Sequence, residues 1–161
     1  EALLIKNWMS HDARWFMAVA AEFGLQVTNR LNQRAAHELG KVEAQRIVRA
    51  LGLPPVATLE DYLLVQEVFI GLLGPDLLDY RVTKAGDHAF RMHVARCFAH
   101  DNAARAGVAG ELACGIFARV TGWLEALGLA YDMQPCLDAC LMARGEECVH
   151  TVVFRKSASP A

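Results

Sequence analysis

The hydrophobic positions in the first half of the chain repeat with the period of an α-helix. Apolar residues three and four apart lie between Ser10, which we expect to cap the first helix, and Gly24, which we expect to end it. A second pattern of this kind runs over residues 25–51, with a bend at Gly40, and two prolines follow it. Thr58 is expected to cap a third helix. The apolar stripe of that helix consists of Leu63, Leu64, Val68, Phe69 and Leu72.

Beyond residue 77 the period of the pattern shortens to two. Residues 78–83 and 90–95 alternate between apolar and polar, with a glycine-containing turn between them, which predicts a β-hairpin with one buried face. Residues 111–127 return to helical spacing. Alternation over 129–133 and an apolar segment over 148–156 predict two further strands.

This order of elements predicts an α+β fold. The N-terminal helices and further helices are expected to pack on an antiparallel four-stranded sheet. We expect one domain over residues 1–161, with a helical half at about 1–76 and a sheet-containing half at about 77–156.

Composition narrows the class of protein further. Hydrophobic residues make up 54% of the 161 residues and charged residues 21%, which is typical of a globular domain. The formal net charge of -2 argues against nucleic acid as a partner. No apolar run approaches the roughly 18 residues of a membrane span, and we expect no export signal. We therefore expect a cytoplasmic protein with reduced thiols and no membrane partner.

The cysteines are the strongest chemical signal in the sequence. Four of the five lie in the last third of the chain: Cys114, Cys136, Cys140 and Cys148. Cys140 and Cys148 flank a turn, Cys136 would point the same way as Cys140 in an extended segment, and Cys114 lies off the apolar stripe of its predicted helix. Zinc prefers four thiolate or imidazole ligands, so we predict a structural zinc site formed by these four residues. Ordinary buried thiols and a disulfide are the alternatives.

Three segments of the chain resemble the 4-vinyl-reductase-type domain: CGIFARVTGWLEALG, CLMARGEEC and VHTVVF. That domain shares a superfamily with haem–nitric-oxide-binding sensors and Bet3-like transport subunits. The phenol-sensing members hold zinc through three cysteines and a glutamate, and the resemblance matches the cysteines to Cys114, Cys140 and Cys148. The glutamate falls at Leu137, which cannot ligate a metal. The fourth ligand is therefore open among Cys136, Asp138, Cys97 and water, with His150 in reserve.

The first half of the chain carries a second resemblance, through NWMSHDARWF and the NRLN stretch that follows. It is similar to a bacterial family of unknown function that looks related to 2-amino-thiazoline-4-carboxylate hydrolases. This resemblance implies an alternative function, the hydrolysis of a small cyclic C–N bond. Such a reaction would need a thiolate nucleophile or a metal-bound water.

The function expected from these observations is the binding or sensing of a small hydrophobic or aromatic molecule, with zinc in a structural role. Aromatic side chains are the candidate pocket lining: Trp15, Phe69, Phe90 and Trp123. We assign no catalytic residue, and whether the protein is an enzyme stays open. A homodimer is expected, because no output segment is visible in the sequence.

Overall fold

A computed structural model describes residues 2–74 and 76–155 of the chain. The helices are α1 (Ala2–Leu51), α2 (Leu59–Leu73), α3 (Phe98–Arg105) and α4 (Gly115–Ala126). The strands are β1 (Leu78–Gly86), β2 (Ala89–Cys97), β3 (Tyr131–Gln134) and β4 (Cys148–Phe154). The predicted α+β fold is confirmed. The end of the predicted last strand, Lys156, lies outside the described residues.

The four strands form one antiparallel sheet in the order β1-β2-β4-β3. The predicted hairpin is β1 and β2, and β4 pairs with the other edge of β2. Phe90 lies opposite Val152, and Met92 lies opposite His150. All four side chains are at most 1% exposed, so this face of the sheet is covered by the helices and forms the core.

Helix α1 consists of two helical parts joined at Gly24. This glycine has φ 79° and ψ 159°, a backbone conformation that favours glycine, which explains the predicted break there. Ser10 does not cap a helix, which corrects the prediction, because residues 2–9 contain neither glycine nor proline and the helix already begins at Ala2. We call residues 2–23 the N-terminal arm.

The second part of α1 packs closely against α4 through two glycines. A Cβ atom added to Gly40 would lie 2.1 Å from the carbonyl oxygen of Arg119, and one added to Gly122 would lie 2.1 Å from that of His37. The predicted bend at Gly40 does not occur. The glycine at this position instead allows the two backbones to approach.

Helix α2 begins where the sequence predicts. Thr58 Oγ1 accepts a hydrogen bond from the Asp61 amide at 3.1 Å, and the Asp61 carboxylate accepts one from the Thr58 amide at 2.9 Å. This reciprocal pair is a capping box. The buried stripe of α2 is rotated from the predicted one, because Tyr62 and Gln66 are fully buried whereas Leu64 is 61% exposed.

Helix α4 begins later than the predicted residue 111, because the backbone before it bonds to a distant loop. The Cys114 amide donates to the Leu137 carbonyl at 3.0 Å, and the Cys140 amide donates to the Leu112 carbonyl at 2.8 Å. These bonds hold residues 112–114 extended, and Cys114 is the N-cap of the helix. Among the described helices, none is both long and apolar enough to cross a membrane.

Candidate functional site

Four cysteine side chains from separate segments line one small cavity of about 20 Å³. Cys97 ends β2, Cys114 caps α4, Cys140 lies in the loop between β3 and β4, and Cys148 begins β4. All of them are free thiols. The rest of the lining is mainly apolar: Val94, Ile116, Phe117, Leu141, Met142 and His150. We call these four cysteines the thiol cluster.

Two amide side chains of α1 hold the backbone around this cavity. Asn29 Nδ2 donates to the Glu111 carbonyl at 2.6 Å, and Asn29 Oδ1 accepts from the Ala113 amide at 3.1 Å. Gln33 Nε2 donates to the Leu137 carbonyl at 2.6 Å. The long first helix therefore fixes the segment that leads into Cys114 and the loop that carries Cys140.

Burial keeps three thiols of the cluster protonated at neutral pH, those of Cys97, Cys114 and Cys148. The pKa of Cys114 and of Cys148 is raised to about 12, mainly by removal from solvent and in smaller part by the neighbouring thiols. The pKa of Cys97 is also raised, again mainly by burial. A thiolate is the nucleophile and the metal ligand in cysteine chemistry, so these residues would have to lose their protons to bind a metal.

The four cysteines are the type of ligand that a structural zinc ion prefers, because four sulfur atoms complete its tetrahedral coordination. As the side chains stand, however, no group of three or more histidine, cysteine, aspartate or glutamate side chains in the described ranges is arranged to hold a metal ion. Binding would therefore require the thiol side chains to rearrange as well as to ionise. The small cavity that they share is the space into which they could turn.

The structure does not bring Cys136 to the other three predicted ligands. Cys136 is exposed, and its Sγ donates to Asp138 Oδ1 at 3.0 Å. Cys97 occupies the fourth place in the cavity. The sequence prediction gave preference to Cys136 because it adjoins Leu137. Cys97 is a weaker candidate on sequence, and the pairing of β2 with β4 that brings it near Cys148 leaves no local signal.

His150 lies beside the thiol cluster but is not a free base. It is 1% exposed, its Nδ1 lies 3.2 Å from the Pro135 carbonyl oxygen, and its ring centroid is 3.8 Å from that of Phe117. Burial lowers the pKa of His150. The imidazole is therefore neutral at neutral pH, and it lines the same cavity as the thiol cluster.

The predicted aromatic residues do not form one pocket. Phe69 and Trp123 are in contact, with ring centroids 4.6 Å apart, and Phe90 packs on Tyr62 at 5.1 Å. These residues are buried between the helices and the sheet. Trp15 is not with them, because it lies on the N-terminal arm and is 55% exposed.

Two polar atoms in this core stand out. The Tyr62 hydroxyl and Gln66 Oε1 are buried and make no hydrogen bond within the described part of the chain. Gln66 Nε2 is satisfied, because it donates to the Tyr80 hydroxyl at 2.6 Å and to Met92 Sδ at 3.1 Å. A buried oxygen without a donor costs free energy, so native proteins normally supply a partner, a water or a ligand.

The comparison with protein families finds a match to the larger part of the chain. The model of a family described as "Family of unknown function (DUF6125)" matches residues 2–109, so the chain belongs to this family. The matched range includes Cys97 but not the other three members of the thiol cluster. No curated protein matches the chain.

Proposed function

We propose that this member of the DUF6125 family is a small-molecule-binding domain in which Cys97, Cys114, Cys140 and Cys148 hold a structural zinc ion. One observation carries the proposal: four thiols from four segments of the chain line a single cavity. Buried cysteines that act only as small hydrophobic residues have no need to share one cavity. The resemblance to the 4-vinyl-reductase-type domain supports three of the four residues independently of their positions in space.

Zinc in this cavity would link the end of β2, the start of α4 and the start of β4. Four protein sulfurs leave no open coordination position for water, which is typical of a structural rather than a catalytic site. Cys97 supplies the ligand that the phenol-sensing family takes from a glutamate, the position occupied here by Leu137. His150 stays outside this set, because four sulfurs already complete the tetrahedron.

The metal content of the purified protein tests this assignment. Protein prepared without chelators should contain about one equivalent of zinc by mass spectrometry. Cys97→Ser should lose most of the metal, whereas Cys136→Ser, the matched control at an exposed position, should keep it. A wild-type protein without zinc, or one in which a thiol count shows that two members of the cluster have formed a disulfide, would contradict the proposal.

The ligand half of the proposal is supported by the unpartnered oxygens of Tyr62 and Gln66. Both oxygens are able to accept a hydrogen bond, and both belong to buried residues of α2 that face the sheet, where Tyr62 packs on Phe90. A small aromatic molecule that carries a hydroxyl group would donate to one of these oxygens and bury its ring against Phe90. A buried water is the other candidate for the same place.

Phenol and toluene form a suitable pair of probes, since they differ by the hydroxyl group. Phenol should raise the melting temperature of the protein more than toluene does, and Gln66→Leu should remove that difference. If neither probe binds, the ligand half is wrong and the zinc half is unaffected.

The hydrolase alternative would gain support instead if Cys97→Ser kept its zinc, because three ligands and a water are typical of catalytic zinc.

A further inference from the structure

The N-terminal arm exposes an unusual amount of apolar surface. Among the described residues of the arm, seven large hydrophobic side chains are between 38% and 71% exposed: Leu3, Leu4, Ile5, Trp8, Trp15, Met17 and Phe23. Their exposed fractions correspond to an apolar area on the order of 900 Å². This area is spread over more than one face of the helix, and an apolar face that stays uncovered marks an interaction surface.

The arm has two apolar faces with different surroundings. The inner face contributes Ile5, Met9 and Phe16 to a cavity of about 280 Å³, which α3 closes from the other side with Phe98 and Ala103. This face is therefore already in contact with the body of the same chain.

The outer face follows a different spacing. Four residues of this face follow one another at intervals of four, three and four: Leu4, Trp8, His11 and Trp15. This is the spacing of a helix that packs along another helix. Leu4 and Trp8 are each 61% exposed, and the imidazole of His11 lies edge-on to Trp8 with ring centroids 5.7 Å apart. We call these four residues the outer seam.

We infer that the outer seam is the interface of a homodimer, in which it packs against the same seam of a second copy in antiparallel orientation. The exposed side chains fit the centre of such an interface, because Leu4, Trp8 and Trp15 are 55–61% exposed on one line of the helix and flanking residues can supply the rest of the about 800 Å² that each partner buries. The charges fit as well: Lys6 and Arg14 are balanced by Asp12 and Glu22, so two copies of the arm do not repel each other. A helix that binds membranes would carry an excess of lysine and arginine on its polar face, which the arm lacks.

The order of residues in the seam favours the antiparallel orientation. The antiparallel orientation places Leu4 of one copy against Trp15 of the other and Trp8 against His11, so each contact joins side chains of different kinds. The Trp8–His11 edge contact within one chain would then be repeated between chains. A parallel pair would set each residue against its own copy, with the two His11 imidazoles facing each other at the centre of the apolar seam.

Sedimentation equilibrium of the full chain tests the interface, with two leucines as a matched pair. Leu4 on the seam and Leu64 on α2 are both 61% exposed. The wild-type protein should be a dimer. Leu4→Glu should raise the dissociation constant of the dimer at least about thirtyfold, because interface positions of this kind contribute about 2 kcal/mol or more. Leu64→Glu should leave the constant unchanged, and circular dichroism should show both variants folded.

Cross-linking tests the orientation in a Cys136→Ser background. Leu4→Cys and Trp15→Cys should form disulfide-linked dimers only when the two proteins are mixed. A cross-link in Leu4→Cys alone would overturn the antiparallel pairing. A monomeric wild-type protein, an equal effect of Leu64→Glu, or a monomer that floats with phosphatidylcholine–phosphatidylglycerol vesicles would overturn the dimer itself. None of these outcomes depends on zinc or phenol, so the inference is independent of the proposed function.

Discussion

At the scale of single residues, the Tyr62 hydroxyl is the group whose substitution shows whether a water or a ligand is bound in the core. If nothing bonds to it, Tyr62→Phe removes only an unpaired polar atom, and the free energy of unfolding should stay the same or rise by up to about 1 kcal/mol. Urea unfolding of protein prepared without added ligand measures this change.

Tyr80 provides the control for that measurement. Its hydroxyl accepts the hydrogen bond of Gln66 Nε2 at 2.6 Å, so Tyr80→Phe should cost about 1–2 kcal/mol. If Tyr62→Phe costs as much as Tyr80→Phe, a water or a ligand is bonded to Tyr62 in solution, and the hydroxyl is not the free acceptor that the phenol experiment assumes.

The thiol cluster shows how far residue-level inference from sequence extends. Three of its members follow from the spacing of Cys114, Cys140 and Cys148 and from the family resemblance. The fourth position is decided by which strand pairs with β4, and that is a tertiary contact. Cys136 is close to the others along the chain, but its side chain is turned toward Asp138 instead.

At the scale of elements, the packing of α1 on α4 gives a sharp prediction. Gly40→Ala would place a Cβ atom 2.1 Å from the Arg119 carbonyl oxygen, and because that oxygen belongs to backbone, the two helices would have to separate. We expect the free energy of unfolding to fall by about 2–3 kcal/mol. Gly122→Ala should have a similar effect for the same reason.

Gly71 on α2 is the matched helical glycine for this experiment. No atom in the described part of the chain lies within 4 Å of a Cβ added there. Gly71→Ala should therefore stabilise the protein by about 0.5–1 kcal/mol, the intrinsic helix preference of alanine over glycine. Thermal unfolding of the three variants compares them, and a stabilising Gly40→Ala would contradict the close approach of the two helices.

Elements were predictable where their signals are local. The hairpin of β1 and β2 and the helix cap at Thr58 each depend on residues that are close in the sequence, and both predictions are confirmed. The start of α4 was not predictable in this way. Its first turn is lost because the amide of Cys114 bonds to the carbonyl of Leu137, which is distant in the sequence.

At the scale of the whole molecule, the thiol cluster couples stability to pH. The raised pKa values of Cys114 and Cys148, about 12 against an ordinary 9.0, mean that the unfolded chain releases these protons at lower pH than the folded protein does. Their contribution to stability is therefore complete below pH 9 and is lost as the pH rises from about 9 toward 12. Buried Tyr62 and Tyr80, whose pKa values are also raised, add to the loss at the alkaline end.

Zinc should reverse this dependence, because it binds the thiolates. The zinc-loaded protein should keep its melting temperature at alkaline pH and lose it below about pH 6, where protons compete with the metal for sulfur. The chelated protein should show the opposite profile.

Calorimetry at a series of pH values measures both profiles. Cys114→Ser should weaken the alkaline loss of stability in the chelated protein without removing the part due to the tyrosines. Cys136→Ser should change neither profile. Identical profiles with and without chelator would mean that no metal is held, and the four thiols would then stabilise the protein only as buried hydrophobic groups.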